Sequence, residues 1–279
     1  MHERLVAPRA VQRGGLAGLA ARLLPAQALA SAQAGGPMAT GVVLGMLLVT
    51  VAALAGLSLV PRYGQFVPVL LQGAVVTLQI TALAFVLAVG AALASALMRL
   101  YAPAPLGWIS TAYVEVFRGT SALVQLFWLY FVLPRLGLSI DAFAVAVLAL
   151  GLNIGAYGSE VVRGAINAIP RGQWEASVAL NMTRRQALQR IILPQSFLVM
   201  IPPWGNLLIE LLKSTALVSL ITLTDLTFRA QQLNQATFKT VEIFTLVLLF
   251  YLAMSLVITI GIRLVETRLA TGSSRGRAA

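Results

Sequence analysis

An all-α, polytopic membrane protein is predicted by three features of the sequence. Hydrophobic residues make up 59% of the 279 and charged ones 10%, whereas soluble domains carry about a quarter charged; the mean hydropathy is +0.87. The apolar residues gather in runs of about 20, the length that crosses a hydrocarbon core. The basic residues stand at the ends of those runs and not along one polar face. The net charge of +11 is therefore assigned to membrane orientation, and no nucleic-acid partner is expected.

Residues 1–37 hold Arg4, Arg9, Arg13 and Arg22 against a single Glu3 and contain no run of spanning length. They are expected to form a disordered basic tail on the cytoplasmic side, lying against anionic membrane lipid. Met38 opens the first apolar run and offers an alternative translation start. The run 38–60 is free of charge and reads as an uncleaved transmembrane helix, its length and position arguing against a signal peptide. Further spans are expected within 70–100, then at 106–133 with Glu115 and Arg118, and at 142–168 with Asn153, Glu160 and Arg163. The fifth runs over 195–223 and the sixth over 243–262, leaving 270–279 as a second cytoplasmic tail. Six crossings put both termini on one side. Of the 20 Lys and Arg residues, only Arg62, Arg135, Arg229 and Lys239 fall on the far side, and Arg118 and Lys213 lie within spans. The termini are therefore expected in the cytoplasm.

Between the fourth and fifth runs lies a polar stretch, 169–194, IPRGQWEASVALNMTRRQALQRIILP. One short helix is predicted from near Gly172 through Gln173, Trp174, Glu175, Ala176 and Ala179 to Asn181, a residue that tolerates the left-handed turn closing a helix. Thr183 with Gln186 three residues on is a capping-box signature, so a second helix should begin there.

This stretch resembles the loop of the membrane subunits of bacterial ATP-binding cassette importers. Its pattern is EAA, three residues, Gly, nine residues, then I-x-LP. Glu175, Ala176, Ile191, Leu193 and Pro194 match it in place, while Ser177 stands for the usual Ala and Asn181 for the Gly. YVEVFRGTSALVQL at 113–126, GLNIGAYGSEVVRGAINAIPRGQWEA at 151–176 and IPPWGNLLIELLKSTALVSLITLTDL at 201–226 are similar to permeases of the polar amino acid uptake type. The stretch from Ser121 to TFRAQQLNQAT is most similar to ectoine and hydroxyectoine permease subunits.

The resemblance implies a five-helix type I permease core over 66–269, with 38–60 as one extra N-terminal helix. It also implies a multi-pass location in the bacterial cytoplasmic membrane. The implied partners are a dimeric ATPase subunit docked on the loop at 169–194, a second permease subunit, identical or related, and a periplasmic or surface solute-binding protein. The outer 225–242 segment, with Arg229, Gln231, Gln232, Asn234 and Lys239, is the expected landing surface for the last of these, an ordinary solvated loop being the equal alternative. No G-x-x-x-x-G-K-[ST] motif occurs, so ATP hydrolysis is expected in a separate subunit.

Three acid–base pairs at three-residue spacing, Glu115 with Arg118, Glu160 with Arg163 and Glu210 with Lys213, would share helix faces. Charges inside a membrane point into the bundle or a watery path. Glu160 with Arg163, close to the cytoplasmic end, reads first as a brace that orients its helix, Glu115 with Arg118 reads equally as a brace, and Glu210 with Lys213 differs because it follows a break. Pro202 and Pro203 lack amide hydrogens, and with Gly205 they are expected to break the fifth span. Broken helices in transporters often line substrate sites. Glu210, Lys213, Ser214 and Thr215 beyond the break, with Asn153, Glu115 and Arg118, are thus candidates for the translocation path, and a simple kink is the alternative at the prolines.

The chain has no cysteine and one histidine, His2, so neither a metal site, a cofactor nor an enzymatic nucleophile with its base is expected. The function anticipated is a permease subunit of an ATP-driven, binding-protein-dependent importer for a polar zwitterion, ectoine, hydroxyectoine or a polar amino acid. The alternative is an ion-gradient-driven secondary transporter, which would leave the 169–194 loop unexplained.

Overall fold

A computed structural model describes residues 37–275; the basic tail expected over 1–37, apart from Pro37, and the last four residues of the chain lie outside this range. The first long helix, α1, spans Pro37–Leu59. A single turn, α2 (Pro61–Gly64), leads into α3 (Val67–Tyr101). Next come α4 (Ala104–Gly119) and α5 (Ala122–Phe127), the latter running on through a wide turn and a 3₁₀ turn to Leu136. α6 covers Ala142–Asn167, α7 Arg171–Ala179 and α8 Arg184–Ala187. α9 is Leu193–Ser214, α10 Leu226–Thr237 and α11 Thr240–Arg275. The all-α expectation holds, with no strand among the described residues.

Small residues bring α3 and α6 together. Ala84, Ala88, Ala92 and Ala96 recur every fourth position on α3 and are fully buried. They face Gly151, Gly155 and Gly158 of α6, where an added Cβ would lie 2.9 Å from the Ala84 carbonyl, 3.2 Å from that of Ala88 and 3.1 Å from the Ala92 side chain. In lipid there is little hydrophobic drive between helices, so such close backbone approach supplies the dispersion attraction that holds them. The paired numbers rise together, so α3 and α6 run parallel. Helix α4 runs the other way beside them, with Ser110 bonded to Ser95 and the Tyr113 hydroxyl donating 2.7 Å to the Leu152 carbonyl.

Two parallel helices require the chain to cross back between them, and α4 with α5 makes that crossing. It is not the continuous span expected over 106–133. The axis turns by 106° between α4 and the segment from Ala122, because Thr120 and Ser121 are extended, with ψ of 152° and 136°. Ser and Thr compete for backbone hydrogen bonds and lower the cost of leaving a helix.

Helix α9 returns antiparallel to α6, Trp204 meeting Gly158 while Met200 and Leu211 lie toward the two ends of the interface. Here too an expectation is corrected. The helix runs unbroken through Pro202, Pro203 and Gly205. Proline's fixed φ suits a helix and its cost is the missing hydrogen bond; at this point Trp204 against Gly158 and Gly205 against Ile262 of α11 fix the axis, while the prolines face outward. The real change of winding comes after Ser214, in a 3₁₀ segment, Thr215–Ile221, closed by Thr222 at φ 64°.

Helix α11 packs back along α9, and α1 lies against α11 with Leu54 and Leu57 at the cluster of Phe66, Leu70, Ile243 and Leu246. Five helices are long and apolar enough to cross a membrane, or six with the bent pair, among the described residues. The start of α1 and the far part of α11 then lie on the same side as α7. Helix α11 continues to Arg275, past the expected boundary at 269.

Gly73 of α3 sits against the chain where it enters α10; an added Cβ would lie 2.7 Å from Leu226 Cα and 2.8 Å from the Asp225 carbonyl. Backbone cannot rotate away as a side chain does. Gly73→Ala should therefore destabilise by about 1–3 kcal/mol, seen as a lowered midpoint in thermal unfolding of the purified protein, and an unchanged midpoint would contradict this packing.

Candidate functional site

At the end of the molecule that holds the first residue of α1, α7 forms a short rod outside the bundle. Trp174 is its anchor, half-buried against Ile169, Leu188 and Ile192, and Ser177 is buried with its hydroxyl bonded to the Trp174 carbonyl. Ala176 and Ala179 lie on the opposite face and are exposed, as are Glu175 and Gln173, the last accepting from the Gln195 side chain of α9 at 3.4 Å. Asn181 closes the helix at φ 53°, and Met182 N–H reaches back to the Ser177 carbonyl at 3.0 Å, the backbone pattern of a left-handed helix end. The two departures from the loop pattern, Ser177 and Asn181, both sit where their chemistry fits. The expected capping box is formed, with Thr183 and Gln186 exchanging bonds of 2.9 and 3.3 Å.

The two spans that end beside the rod are tied to each other by charge. Glu160 of α6 accepts from Arg99 of α3 and from Arg163, one turn on, at 2.6 Å. Of the three acid–base pairs, this is the one that forms. Glu115 and Arg118 are exposed without an ion pair between them, and the Arg118 guanidinium lies 5.5 Å from the Tyr157 ring centre. A further pair, Arg62 with Glu242, joins α2 to the start of α11 at the other end of the molecule; no local pattern announces it, since the partners are far apart in sequence.

Glu210 and Lys213 are also exposed and form no ion pair among the described residues, but they share an open cleft of about 510 Å³ with Asn206 and Ser214, lined too by Ile209 and Leu217. Thr215 lies behind it, buried, its hydroxyl bonded to the Leu212 carbonyl. Asn153 does not face this cleft. It is buried in α6 and donates 3.0 Å to the Phe117 carbonyl and 3.1 Å to Gln125, which itself donates to Phe117 and Thr120. Asn153 thus serves the bend between α4 and α5, satisfying a carbonyl the missing helical turn leaves free. Gln125 is not among the sequence candidates, although Gly119, Thr120 and Ser121 together are a turn signal.

The segment 225–242 contains α10, whose Leu226 and Ala230 are buried. Its N-cap, Asp225, is fully buried and accepts from Thr227 and Phe228 amides at 3.2 and 2.9 Å. Burial pushes its carboxyl up to about 6, with the amide bonds pulling the other way. The usual value is 3.8, so between about pH 4 and 6 the folded chain holds a proton the unfolded chain releases, and Asp225's contribution to stability falls as pH rises through that window. Asp225→Asn keeps an acceptor and cannot ionise. Thermal midpoints of wild type should drop relative to this variant from pH 4 to 6 and level off above; a difference independent of pH would refute the assignment.

Residues 84–271 match the family described as "Binding-protein-dependent transport system inner membrane component". A probable amino-acid ABC transporter permease protein (y4tF) of Sinorhizobium fredii is 50% identical over 164 residues, covering 57% of this chain and 69% of that one. The arginine transport system permease protein ArtQ of Bacillus subtilis is 38% identical over 204 residues, 73% of this chain and 93% of its own. Among solved structures, one titled "Crystal structure of an amino acid ABC transporter with histidines" superposes with a TM-score of 0.70 at 35% identity, covering 73% of this chain and 95% of that chain.

Proposed function

The chain belongs to the family of inner membrane components of binding-protein-dependent transport systems, and from that premise we propose that it is the permease subunit of an ATP-driven importer for a polar zwitterion. A polar amino acid is favoured by the names of the relatives; ectoine or hydroxyectoine, expected from the sequence, has the same chemistry of one carboxylate and one cationic nitrogen. The observation that carries the solute class is the cleft on α9, where Glu210 and Lys213 present one charge of each sign without neutralising each other. An internal ion pair would have to be broken to admit a solute; two unpaired charges are already available.

In this reading α7 is the coupling helix. Its Gln173, Glu175, Ala176 and Ala179 face an ATPase subunit, and Trp174 passes the displacement to the ends of α6 and α9. The Asn181 turn and the Thr183 cap keep the rod stiff, so that a push moves spans instead of being absorbed locally. ATP binding draws two ATPase subunits together, and the permease pair tilts between inward- and outward-open forms. Solute-loaded receptor, landing near α10, and ATP each shift that equilibrium only by binding the outward form more tightly. Two permease chains, identical or related, enclose the path, with residues 66–269 as the transport core, α1 as an added helix and both termini in the cytoplasm, in the cytoplasmic membrane.

Proteoliposomes holding the permease, its sister subunit, the ATPase and the receptor provide the test. Uptake of a labelled zwitterion should require both ATP and receptor; uptake driven by a sodium or proton gradient without them would establish a secondary transporter instead. Glu210→Ala and Lys213→Ala should each lower uptake by about tenfold, the scale of one charge-assisted hydrogen bond, with subunit stoichiometry intact. A cysteine placed at Ala176 should crosslink to the ATPase, and failure to capture it in a working preparation would remove α7 from the coupling role.

A further inference from the structure

A second cavity, of about 470 Å³, opens between the ends of α3 and α6 and the inner side of α7, away from the cleft on α9. Its polar groups are Arg171, Arg184, Tyr101 and Asn167, and Ile166 and Trp174 supply part of its apolar wall. Arg171 and Trp174, three residues apart on α7, share the helix face turned to the bundle, so this cavity backs onto the rod and does not lie on its exposed Ala176 and Ala179 side. Arg184 holds its guanidinium 5.5 Å from the Tyr101 ring centre. That stacking fixes the charge beside the cavity. No acid lines the cavity, and neither arginine has an ion pair among the described residues.

Two guanidiniums without a counter-charge among the described residues, that of Arg184 held against Tyr101, with a phenol and an amide make a site for a phosphate oxyanion. The position selects the source. The cavity lies at the ends of two membrane-length helices, with a Tyr and a Trp beside it, the residues that mark the headgroup layer, and its apolar wall can receive the first carbons of an acyl chain. We infer that this cavity holds the phosphate of an anionic phospholipid, which bridges Arg171 on α7 and Arg184 on α8 to the end of α3 and seats the rod against the membrane.

The inference rests on the membrane setting and not on the solute or on ATP, so its test is read independently of transport. Native mass spectrometry of the complete complex in mild detergent, titrated with phosphatidylglycerol or phosphatidylcholine, should show preferential retention of the former. Arg171→Ala and Arg184→Ala should each weaken that retention by about fivefold, the usual effect of one basic residue near an anionic surface, while Arg184→Lys, which keeps charge but not the flat stack, should fall between. Thermal midpoint and subunit stoichiometry of the variants, unchanged, exclude a folding defect. Equal retention of phosphatidylcholine, unaltered retention in both alanine variants, or displacement by inorganic phosphate alone would overturn the lipid assignment. So would a complex in which the ATPase subunit occupies the cavity, seen as retention by the permease alone that is lost on assembly.

Discussion

The close approach of α3 and α6 is the constraint on which the remaining architecture depends. Lipid offers no hydrogen bonds to stray backbone and little hydrophobic drive between helices, so spans must satisfy their own amides and adhere through packing. The alanine ridge of α3 against Gly151, Gly155 and Gly158 achieves this by letting two backbones nearly touch. Because the pair is parallel, the intervening chain must cross back within a short connection. The bend at Thr120 and Ser121 is part of that return, and the polar groups it exposes are met by Gln125 and Asn153.

The same pair carries the ion cluster at the end nearest α7. Arg99 comes from α3, and Glu160 with Arg163 from α6. Two cations around one carboxylate leave a residual positive charge, so the cluster fixes the relative height of the helices without neutralising that end. At the opposite end Arg62 and Glu242 join the link after α1 to α11. The added helix is therefore held at its far end by charge and along its length by apolar packing, while most of its surface remains free for lipid or a neighbouring subunit.

Force transmission, in the proposed function, follows from where rigidity is placed. Helix α7 is short, closed at both ends by defined turns, and seated by Trp174 on the ends of α6 and α9. Helix α9 carries the open cleft further along and changes winding beyond it, after Ser214. A displacement of α7 can thus reach the cleft through one continuous helix, which would not be so had Pro202 and Pro203 interrupted it.

Features set by residues close together in the chain are legible in the sequence. Helical class and the positions of the unbent spans follow from apolar run length, and the Thr183 box and the Asn181 turn follow from local hydrogen-bond chemistry. Features set by partners distant in the chain are not. Glu160 is shared with Arg99 across helices; Asn153 serves a bend in α4–α5; Glu210 and Lys213 stay apart although their spacing allows contact. The proline pair departs from expectation for the same reason. A proline removes a hydrogen bond wherever it stands, but whether the helix breaks depends on what holds its axis, here Gly158 around Trp204 and Ile262 against Gly205. The sequence by itself determined which segments are helices and where the intervening loop turns. Tertiary structure alone decided which charges meet and which helix stays whole, because those outcomes depend on packing between residues that no local pattern brings together.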